Sequence, residues 1–353
     1  MNSAITRTGT VSQIKAEALR LGFCLCGITS AEPPEHYPLY DTWLAQGHHS
    51  RMDYLASERH KMLRRDPKLL LQGARSIIVL GWPYSLTAAL PGTQEGLIAG
   101  YALQADYHDR LPRLMQQLVN FIRQLVDIPF DARSVTDSAP ILERELGQRA
   151  GLGWIGRNSC LISPRRGSSF LLAEILVTLD LPASQPFTAD RCGTCHRCVD
   201  ACPTGGILPD RTLDAGKCIS YLTIENKASI PPELRNKVGN WVFGCDLCQS
   251  VCPWNAKHLQ GSAGSPGKHT LSTAEMLEEL TLSIDDFKIR MQNSPLMRAK
   301  WMGYRRNLIV ALTNLRQTQA LPTFTRMLNT ETDPEMRFLL TWAIEQFQST
   351  AGT

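Results

Sequence analysis

Apolar residues recur along the first half of the chain in two patterns, one typical of helices and one typical of strands. Residues 11–22 and 110–126 place apolar side chains three and four positions apart, which predicts amphipathic helices. Residues 23–28, 76–81 and 168–179 are short apolar runs of the kind found in buried strands. Helices that alternate with strands in this way predict a layered α/β domain.

The last part of the chain is dominated by helical spacing. Residues 297–315 and 320–328 predict a helical pair, and residues 334–347 begin another. This succession resembles HEAT-type repeats, in which a helix pair buries its apolar stripe only by stacking on a neighbour. We therefore predict an α-helical, HEAT-like unit in this region.

Length and composition bound the fold but say little about the ligand. At 353 residues, 43% of them hydrophobic, the chain is long enough for two or three domains with their own cores. No apolar run approaches the roughly 20 residues of a membrane span, and residues 1–28 lack the features of a signal peptide. A formal charge of +4 neither requires nor excludes a nucleic acid partner. We therefore expect a cytoplasmic protein without membrane association.

Eight of the eleven cysteines lie in one stretch, and their spacing is the most informative feature of the sequence. The run from Cys192 to Pro203 has the spacing C-x2-C-x2-C-x3-C-P, which bacterial ferredoxins use for 4Fe-4S clusters. A second run of three cysteines starts at Cys245 and also ends in Cys-Pro, and Cys218 stands between the runs. Because each cuboidal cluster needs four thiolates, eight cysteines supply two clusters.

The ferredoxin arrangement also predicts how the thiolates are divided, because the last cysteine of a run there crosses to the other cluster. One predicted cluster is bound by Cys192, Cys195, Cys198 and Cys252, and the other by Cys202, Cys218, Cys245 and Cys248.

Zinc sites and disulfides are the competing interpretations of these cysteines. A zinc ribbon has two C-x2-C pairs separated by a loop, and three cysteines at successive x2 spacings followed by x3-Cys-Pro do not fit it. Without a signal peptide, the thiols should stay reduced and available as metal ligands. The remaining cysteines, Cys24, Cys26 and Cys160, are predicted to be structural.

A glycine-rich stretch follows a helix predicted over residues 139–150, and an aspartate precedes that helix. Residues 151–156 match G-x-G-x-x-G, but the dinucleotide-binding fingerprint must follow a strand and open a helix, whereas here a helix ends at the glycines. The glycines instead predict a loop that closely approaches a bulky cofactor. From spacing alone, Asp137 or Ser138 is predicted to cap the helix, with Pro140 in the first turn.

Two polar groups have both a structural and a functional interpretation. Residues 106–108, Asp-Tyr-His, precede a helix and either line a pocket or lie on the surface. A basic group without an acidic residue among its members is either a solvated helix face or a phosphate-binding surface. Its members are Arg298, Lys300, Arg305 and Arg306.

Taken together, six stretches of the chain resemble the epoxyqueuosine reductase family, cobalamin-dependent iron-sulfur enzymes that complete queuosine in tRNA. The resemblance covers most of the chain. One departure is Gly100, where arginine often precedes Tyr-Ala in the family, and this affects a possible cofactor or RNA contact. The stretches are RRDPKLLLQGARSIIVLG, DYH, DSAPILERELGQRAGLGWIGRN, CGTCHRCVDACPTGGI, KCISYLTIENK and GCDLCQSVCPWN.

The resemblance implies an α/β (α+β) fold with three domains. A nitroreductase-like domain at residues 1–183 would bind cobalamin, and a ferredoxin-like domain at residues 184–264 would hold the two 4Fe-4S clusters. A helical HEAT-like domain at residues 265–353 would contact tRNA. We expect a monomer.

The resemblance also implies roles for individual residues. Asp137 becomes the candidate proton donor, because the family's catalytic aspartate falls in this segment, and capping need not exclude that role. To be protonated near pH 7, Asp137 needs an apolar or anion-rich pocket that raises its pKa well above about 3.9. The predicted cofactor-binding residues are Tyr101, Tyr107, His108, Asp137, Asn158 and Ser169, and the predicted RNA-binding residues are Lys227, Arg235, Lys237, Arg298, Lys300, Arg305 and Arg306.

Reduction of an epoxide to an alkene consumes two electrons and two protons, and no side chain supplies the electrons. We expect an external low-potential donor of flavodoxin or ferredoxin type to pass them through the two clusters to cobalamin. Two other classes stay open. One is another cobalamin and iron-sulfur reductase, such as a reductive dehalogenase, and the other is a di-cluster electron-transfer protein without catalysis of its own.

Overall fold

The computed structural model describes residues 2–87, 93–256 and 270–348. The strands in these residues are β1 (Leu25–Ser30), β2 (Ser76–Pro83), β3 (Gly96–Ile98), β4 (Ala132–Val135), β5 (Trp154–Ile155), β6 (Leu161–Ile162), β7 (Phe170–Val177), β8 (Trp241–Phe243) and β9 (Thr270–Leu271). The helices are α1 (Asn2–Arg20), α2 (Tyr37–Ala45), α3 (Glu58–Arg65), α4 (Tyr107–Leu125), α5 (Glu143–Arg149), α6 (Arg197–Asp200), α7 (Ile219–Ile224), α8 (Pro232–Val238), α9 (Leu247–Ser250), α10 (Thr273–Leu280), α11 (Ile284–Arg290), α12 (Lys300–Asn314), α13 (Leu321–Thr330) and α14 (Pro334–Gln348).

Four strands form the main sheet in the order β1-β2-β7-β4, and every neighbouring pair is antiparallel. The strands predicted over residues 76–81 and 168–179 are confirmed as β2 and β7, which occupy the two interior positions. Both are mostly buried, which explains why their sequences are apolar runs rather than alternating patterns. The strand predicted over residues 23–28 is present with a shift, since β1 begins at Leu25.

Helices cover both faces of this sheet, so the predicted layering of helices on strands is confirmed. On one face, Ile14 of α1 and Met115 of α4 belong to the same core cluster as Ile78 of β2. On the other face, Leu146 of α5 clusters with Val79 of β2. The helices predicted over residues 11–22 and 110–126 correspond to α1 and α4.

A second core joins three distant parts of the chain. It contains residues 97–102, several residues between 215 and 243, and helical residues between 276 and 347. β3 pairs parallel with β8 and antiparallel with β9, which ties the first part of the chain to the last. The division at residues 183 and 264 stays a prediction. Residues 265–267, Ser-Pro-Gly, are typical of a loop and lie outside the described residues.

The helices predicted over residues 297–315, 320–328 and 334–347 are observed as α12, α13 and α14. α12 is buried from Gly303 through Thr313 and packs against α10, α14 and β8. A helix that is buried on all sides is a core element, and the HEAT-like description stays a prediction. In the part of the chain that the structure describes, no helix combines the length and apolar character needed to cross a bilayer.

Candidate functional site

Asp137 lies on a tight loop directly after β4. Thr136 anchors this loop, since its hydroxyl donates to the Leu172 carbonyl on the neighbouring strand at 2.8 Å. Asp137 has a φ of +54°, in the left-handed region that non-glycine residues rarely adopt. Its backbone N–H donates to Glu143 Oε1 at 2.8 Å, and its side chain is 61% exposed. Conformations of this kind cluster at functional sites, and this one presents the carboxylate outward.

The predicted helix over residues 139–150 is shorter than expected, and Asp137 does not cap it. α5 begins at Glu143, and Leu142 before it provides no side-chain cap. Pro140 disfavours a helical conformation at the residue that precedes it. The predicted cap is therefore wrong, because the Asp137 carboxylate accepts hydrogen bonds from side chains of α4 instead.

The glycines after α5 are required by the packing of the chain itself. A Cβ at Gly151 would lie 2.4 Å from the Gln185 carbonyl oxygen, and a Cβ at Gly153 would lie 2.0 Å from the Ile162 carbonyl oxygen. The predicted close approach is therefore to the chain's own backbone rather than to a cofactor. The argument against a dinucleotide-binding motif is confirmed, since α5 ends before these glycines and β5 follows them.

The first turn of α4 supplies two partners for Asp137. The Asp106 carboxylate caps the helix by accepting the His108 backbone N–H at 2.9 Å. The Tyr107 hydroxyl donates to Asp137 Oδ2 at 2.9 Å, and His108 Nε2 lies 3.2 Å from the same oxygen. The other ring nitrogen of His108, Nδ1, lies 2.7 Å from Asp106 Oδ1. Asp106, His108 and Asp137 thus form one hydrogen-bonded chain.

This chain places the proton on His108 rather than on Asp137. Burial raises the pKa of Asp137, but the hydrogen bonds from His108 and Tyr107 outweigh it and hold that pKa below its ordinary value. The hydrogen bond to Asp137 raises the pKa of His108, and Asp106 raises it further. The prediction of a raised pKa for Asp137 is therefore wrong, because the groups that contact its carboxylate, Tyr107 and His108, are hydrogen-bond donors.

Tyr101 connects this chain of residues to the cysteine-rich segment. Its ring centroid lies 6.3 Å from that of Tyr107 and 6.3 Å from that of Phe243. Gly244 follows with a φ of +67°, and a Cβ there would lie 3.6 Å from Tyr101 Cε1. The next residue, Cys245, is a predicted cluster ligand. The Tyr101 ring therefore lies between this part of the cysteine-rich segment and Tyr107 of the Asp137 site.

Gly100 departs from the family pattern for a local reason. A Cβ at this position would lie 1.7 Å from the Ser85 carbonyl oxygen. The Gly100 N–H donates to Asp246 Oδ2 at 2.8 Å, and the Thr87 N–H donates to the same oxygen at 2.8 Å. The backbone here leaves no room for a side chain, so an arginine cannot occupy this conformation.

The structure brings together the four cysteines predicted for the first cluster. Burial raises the pKa of the Cys252 thiol, and the nearby Cys192, Cys198 and Cys195 raise it further by like-charge repulsion. Cys252 is therefore a neighbour of the first cysteine run, although it belongs to the second run in sequence. The Trp154 Nε1–H lies 3.4 Å from Cys192 Sγ and can stabilise a thiolate there.

The other four predicted ligands form a second group. Burial raises the pKa of the Cys245 thiol, and like-charge repulsion from Cys218 and Cys202 raises it further. The charges of Cys245 and Cys218 also act on Cys248. All eleven cysteines are free thiols. Among the described residues, no group of three or more His, Cys, Asp or Glu side chains has the geometry of a single-ion site. The cluster assignment therefore rests on the spacing and on the comparison below.

The two groups of thiols differ in their surroundings. Arg191, Gly193 and Arg197 in the loop around the first group are exposed. Cys218 and Cys245 of the second group instead pack against the core that contains residues 97–102. The first group is therefore the one nearer to solvent, and the second is the one nearer to Tyr101.

The three cysteines outside the cluster pattern occupy different settings. Burial raises the pKa of Cys24 to about 11 and that of Cys26 to about 12, as expected for protonated core thiols. Cys160 lies within hydrogen-bonding reach of Cys248, which lowers the pKa of Cys160. Sequence spacing gave no signal for that contact.

Two predicted cofactor-binding residues, Asn158 and Ser169, make their hydrogen bonds to residues other than Asp137. Asn158 is 5% exposed, and its side-chain amide donates to the Cys248 carbonyl at 3.3 Å. Ser169 is 7% exposed, and its hydroxyl donates to the Arg166 carbonyl at 3.3 Å. Their cofactor role stays a prediction.

Two family models match the chain. The model described as 4Fe-4S double cluster binding domain matches residues 191–255, and the model described as Epoxyqueuosine reductase QueG, DUF1730 matches residues 64–138. The chain is 36% identical over 352 residues to the epoxyqueuosine reductase of Escherichia coli K12, covering 98% of this chain and 92% of that protein. The chain belongs to the epoxyqueuosine reductase family. It is therefore an oxidoreductase.

Other members of the epoxyqueuosine reductase family are similar to this chain over most of its length. The Pseudomonas aeruginosa enzyme is 40% identical over 311 residues, which cover 86% of this chain and 85% of that protein. The Streptococcus thermophilus structure has a TM-score of 0.85 at 25% identity, covering 95% of this chain and 90% of that one. A structure with an epoxyqueuosine-modified tRNA-Tyr stem loop has a TM-score of 0.82 at 28% identity, covering 95% and 89%. A Bacillus subtilis structure, whose catalytic aspartate loop is swung out of the active site, has a TM-score of 0.81 at 28% identity, covering 95% and 90%.

Three of the arginines predicted to bind RNA are buried. Arg306 is 4% exposed, and its guanidinium donates to the carbonyls of Asn226 at 2.7 Å and Leu222 at 2.6 Å. Arg235 is 1% exposed and donates to the Ile230 carbonyl at 3.0 Å. The predicted phosphate contacts of Arg235 and Arg306 are therefore wrong, because both guanidinium groups are buried and make their hydrogen bonds within the protein. Arg305 is 9% exposed and pairs with Glu331 at 3.3 Å, so the same correction applies to it.

The other four predicted RNA-binding residues are exposed: Lys227, Lys237, Arg298 and Lys300. Arg298 makes a two-pronged ion pair with Glu225, at 2.6 and 3.0 Å, and its charge also lowers the pKa of Asp137. Burial lowers the pKa of Lys227 to about 8, and its ammonium donates to the Arg298 carbonyl at 2.5 Å. Arg298 therefore lies near the Asp137 loop, with Lys227 beside it.

Replacement of Arg306 by alanine is expected to destabilise the fold rather than to change RNA recognition directly. A hydrogen bond to a charged group contributes about 1.5–3 kcal/mol, and Arg306 makes several to backbone carbonyls. We expect a loss of at least about 3 kcal/mol in denaturant unfolding. Lys300→Ala, at an exposed position, is the control, with native unfolding and weaker, less salt-dependent RNA binding. Native unfolding of Arg306→Ala with lost RNA binding would contradict the structural role.

Proposed function

We propose that this protein reduces epoxyqueuosine to queuosine in the anticodon loop of tRNA, the last step of queuosine formation. The observation that carries the proposal is the near full-length similarity to the Escherichia coli epoxyqueuosine reductase, 36% identical over 352 residues. The related structure with an epoxyqueuosine-modified tRNA stem loop supports the same substrate. Single-stranded loops allow a base to be turned out into a pocket, and the outward-facing Asp137 loop suits such a base.

Side chains of the protein itself would hold and transfer the proton that the reaction needs. Asp137 Oδ2 accepts from both Tyr107 and His108, and we infer that it passes a proton to the oxygen that leaves the ring. His108, held between Asp106 and Asp137, is the source. The related structure with a mobile catalytic aspartate loop supports a catalytic aspartate in this position. Asp137 would thus transfer the proton, and His108 would carry that proton before the reaction.

The Tyr101, Tyr107 and His108 rings fit a flat macrocyclic cofactor. They form a continuous aromatic row, with Tyr107 and His108 stacked at 4.1 Å, and the exposed Asp137 carboxylate lies at one end of it. Cobalamin bound there would supply a strongly reducing, nucleophilic cobalt centre. These residues would hold it between Asp137 and the second group of thiols.

Two 4Fe-4S clusters on the two groups of thiols would carry single electrons to this site. The exposed loop of the first group suits an external donor of flavodoxin or ferredoxin type, and Arg191 and Arg197 would favour an acidic surface on it. The second group, next to Tyr101, would then be the last carrier. The donor itself, the monomeric state and the cytoplasmic location are parts of this proposal.

The RNA would lie on the exposed basic side chains near Asp137. Arg298 and Lys227 lie next to each other, and Lys300 follows in the chain. Phosphate contacts made by such residues position a nucleic acid without reading its sequence. The three proposed domains, at residues 1–183, 184–264 and 265–353, would accordingly supply the cofactor site, the electron path and part of the RNA surface.

The test is an anaerobic assay on tRNA that carries epoxyqueuosine, with a chemical low-potential reductant in place of the natural donor and with cobalamin added or withheld. We expect queuosine only when cobalamin is present. Reduction of a dye without conversion of the nucleoside would instead indicate an electron-transfer protein. Conversion without cobalamin would remove that cofactor from the proposal.

A further inference from the structure

Glu174 is a buried carboxyl on the apolar face of the main sheet. It is 0% exposed and pairs in register with Val79 and Val135 on the two adjacent strands. Leu172 and Leu176, two positions to either side along β7, share its face and belong to the core packed under α5. Among the described residues, no donor reaches either Glu174 oxygen. An ionised carboxylate in such surroundings is strongly disfavoured.

Glu145 shows how this protein accommodates an ionised buried carboxylate. It is 3% exposed, yet its oxygens accept the backbone N–H groups of Glu35 at 2.6 Å and His36 at 3.0 Å. Burial raises the pKa of Glu145, but the hydrogen bond from the His36 side chain, together with these two backbone bonds, outweighs it and lowers that pKa. Glu174 has no such donors, so its carboxyl favours the protonated form.

Glu143 is the carboxyl next to Glu174. The two side chains lie within hydrogen-bonding reach of each other, while Glu143 Oε1 also accepts the Asp137 N–H at 2.8 Å. Burial raises the pKa of Glu143 to about 7, and burial raises that of Glu174 well above its ordinary range, with the charge of Glu143 adding to it. Two adjacent carboxylates repel each other, so near neutral pH one of them keeps a proton, as in other carboxyl dyads.

We propose that Glu143 and Glu174 share one proton and, as a pair, position Asp137 through its backbone N–H. The protonated member donates to the other, which leaves a Glu143 oxygen to accept from Asp137. The pair lies behind the loop, so both are positioning residues. Their relevance to turnover rests on the proposed function, whereas the shared proton itself does not.

Deprotonation of the pair should loosen the Asp137 loop. The other groups whose charges act on the pair are Asp137 on the loop, Arg144 on α5, Arg64 on α3 and Tyr107 on α4. Among the described residues, neither arginine makes an ion pair with these glutamates. When the pH rises above the pKa of the pair, two adjacent negative charges repel each other, and Glu143 loses its fixed position under Asp137.

Infrared spectroscopy tests the shared proton directly. At about pH 8, the wild-type protein should show the carbonyl band of a protonated carboxyl group that belongs to the pair of Glu143 and Glu174. Glu174→Gln, which keeps the shape and stays neutral, should lose that band. Glu145→Gln is the matched control and should keep it, since Glu145 is already ionised. Absence of the band from the wild-type protein would overturn the proposal, whether or not the protein converts tRNA.

Deuterium exchange tests the positioning role without any substrate. In the wild-type protein, backbone exchange over residues 136–142, corrected for its intrinsic pH dependence, should rise by about fivefold as the pair loses its proton, the change expected when one ordinary hydrogen bond is lost. In Glu174→Gln the increase should be absent, because the neutral amide can still donate to Glu143. An equal increase in both proteins would show that the pair does not hold Asp137.

Discussion

Asp137→Asn is expected to lower turnover by a factor of about 10² to 10⁴, the range that a positioned proton-transfer group contributes. The replacement keeps the size of the side chain and an oxygen that can accept from the Tyr107 hydroxyl. The amide cannot take the proton from His108 and pass it to the leaving oxygen. The measurement is the single-turnover formation of queuosine in tRNA under chemical reduction, at matched iron and cobalamin content.

Asp106→Asn is the matched control, because it changes the far end of the same hydrogen-bonded chain. His108 has a pKa raised above its ordinary 6.5 by Asp137 first and by Asp106 second. Its charged form therefore persists above that pH and is lost as the pH rises through the raised value. Removing the Asp106 charge should lower that pKa, so the alkaline loss of activity should begin at a lower pH in this variant.

The two variants distinguish the residue that transfers the proton, Asp137, from the residue that supplies it, His108. Native turnover by Asp137→Asn with full iron would exclude Asp137 from proton transfer. If the loss of activity at alkaline pH began at the same pH in Asp106→Asn as in the wild-type protein, His108 would be excluded as the source of the proton. Because neither side chain contacts a cysteine of either group in the described contacts, a loss of iron is not expected in either variant.

The two central strands of the main sheet could be predicted because short apolar runs in the sequence indicate that they are buried. β2 and β7 have apolar side chains on both faces, and this local property needs no knowledge of their partners. The pairing of Leu97 with Trp241 could not be predicted in this way, because it joins residues far apart in the chain. That pairing explains why residues 97–102 belong to the second core.

The role of Asp137 shows the same limit at the site itself. Local rules favoured a helix cap, since a polar residue precedes a proline and a helical pattern. The partners of its carboxylate, Tyr107 and His108, come from α4, about thirty positions earlier in the chain. The family resemblance supplied the catalytic role, but the direction of the pKa shift came only from the donors around the carboxylate.

Charge clustering in the sequence did not distinguish binding residues from structural ones. Arg298 and Arg306 belong to the same basic group, yet Arg298 has a side chain that is 58% exposed and Arg306 is buried among carbonyl oxygens. The difference arises because α12 passes through the core, and only one end of the group reaches solvent. A basic cluster on a helix therefore predicts a surface only when the position of that helix is known.

Cys252→Ser is expected to remove about half of the iron and to abolish turnover with a protein electron donor of flavodoxin or ferredoxin type, and its spectrum should match that of Cys198→Ser rather than that of Cys248→Ser. The reason is the crossed assignment, in which Cys252 joins the first cysteine run. The structure places Cys252 beside Cys192, Cys195 and Cys198. Iron content and electron paramagnetic resonance of the reduced, anaerobically purified variants measure both effects.

Cys218→Ser should also remove about half of the iron, but it should leave the other cluster in place. Cys218 packs against the second core, whereas the loop of the first group is exposed. Cys218→Ser should therefore lower the midpoint of thermal unfolding more than Cys252→Ser does. Cys26→Ser, a change to a core thiol outside both groups, is the control and should retain all of the iron.

The pattern across these variants decides the electron path. If the first group receives electrons from the donor and the second passes them to the site near Tyr101, Cys252→Ser should still show a second cluster that a small chemical reductant can reduce. Cys218→Ser should instead accumulate electrons on the first cluster without product. A Cys252→Ser spectrum that matched Cys248→Ser would overturn the crossed assignment, because both residues would then serve one cluster. Turnover retained in Cys218→Ser would remove the second cluster from the path.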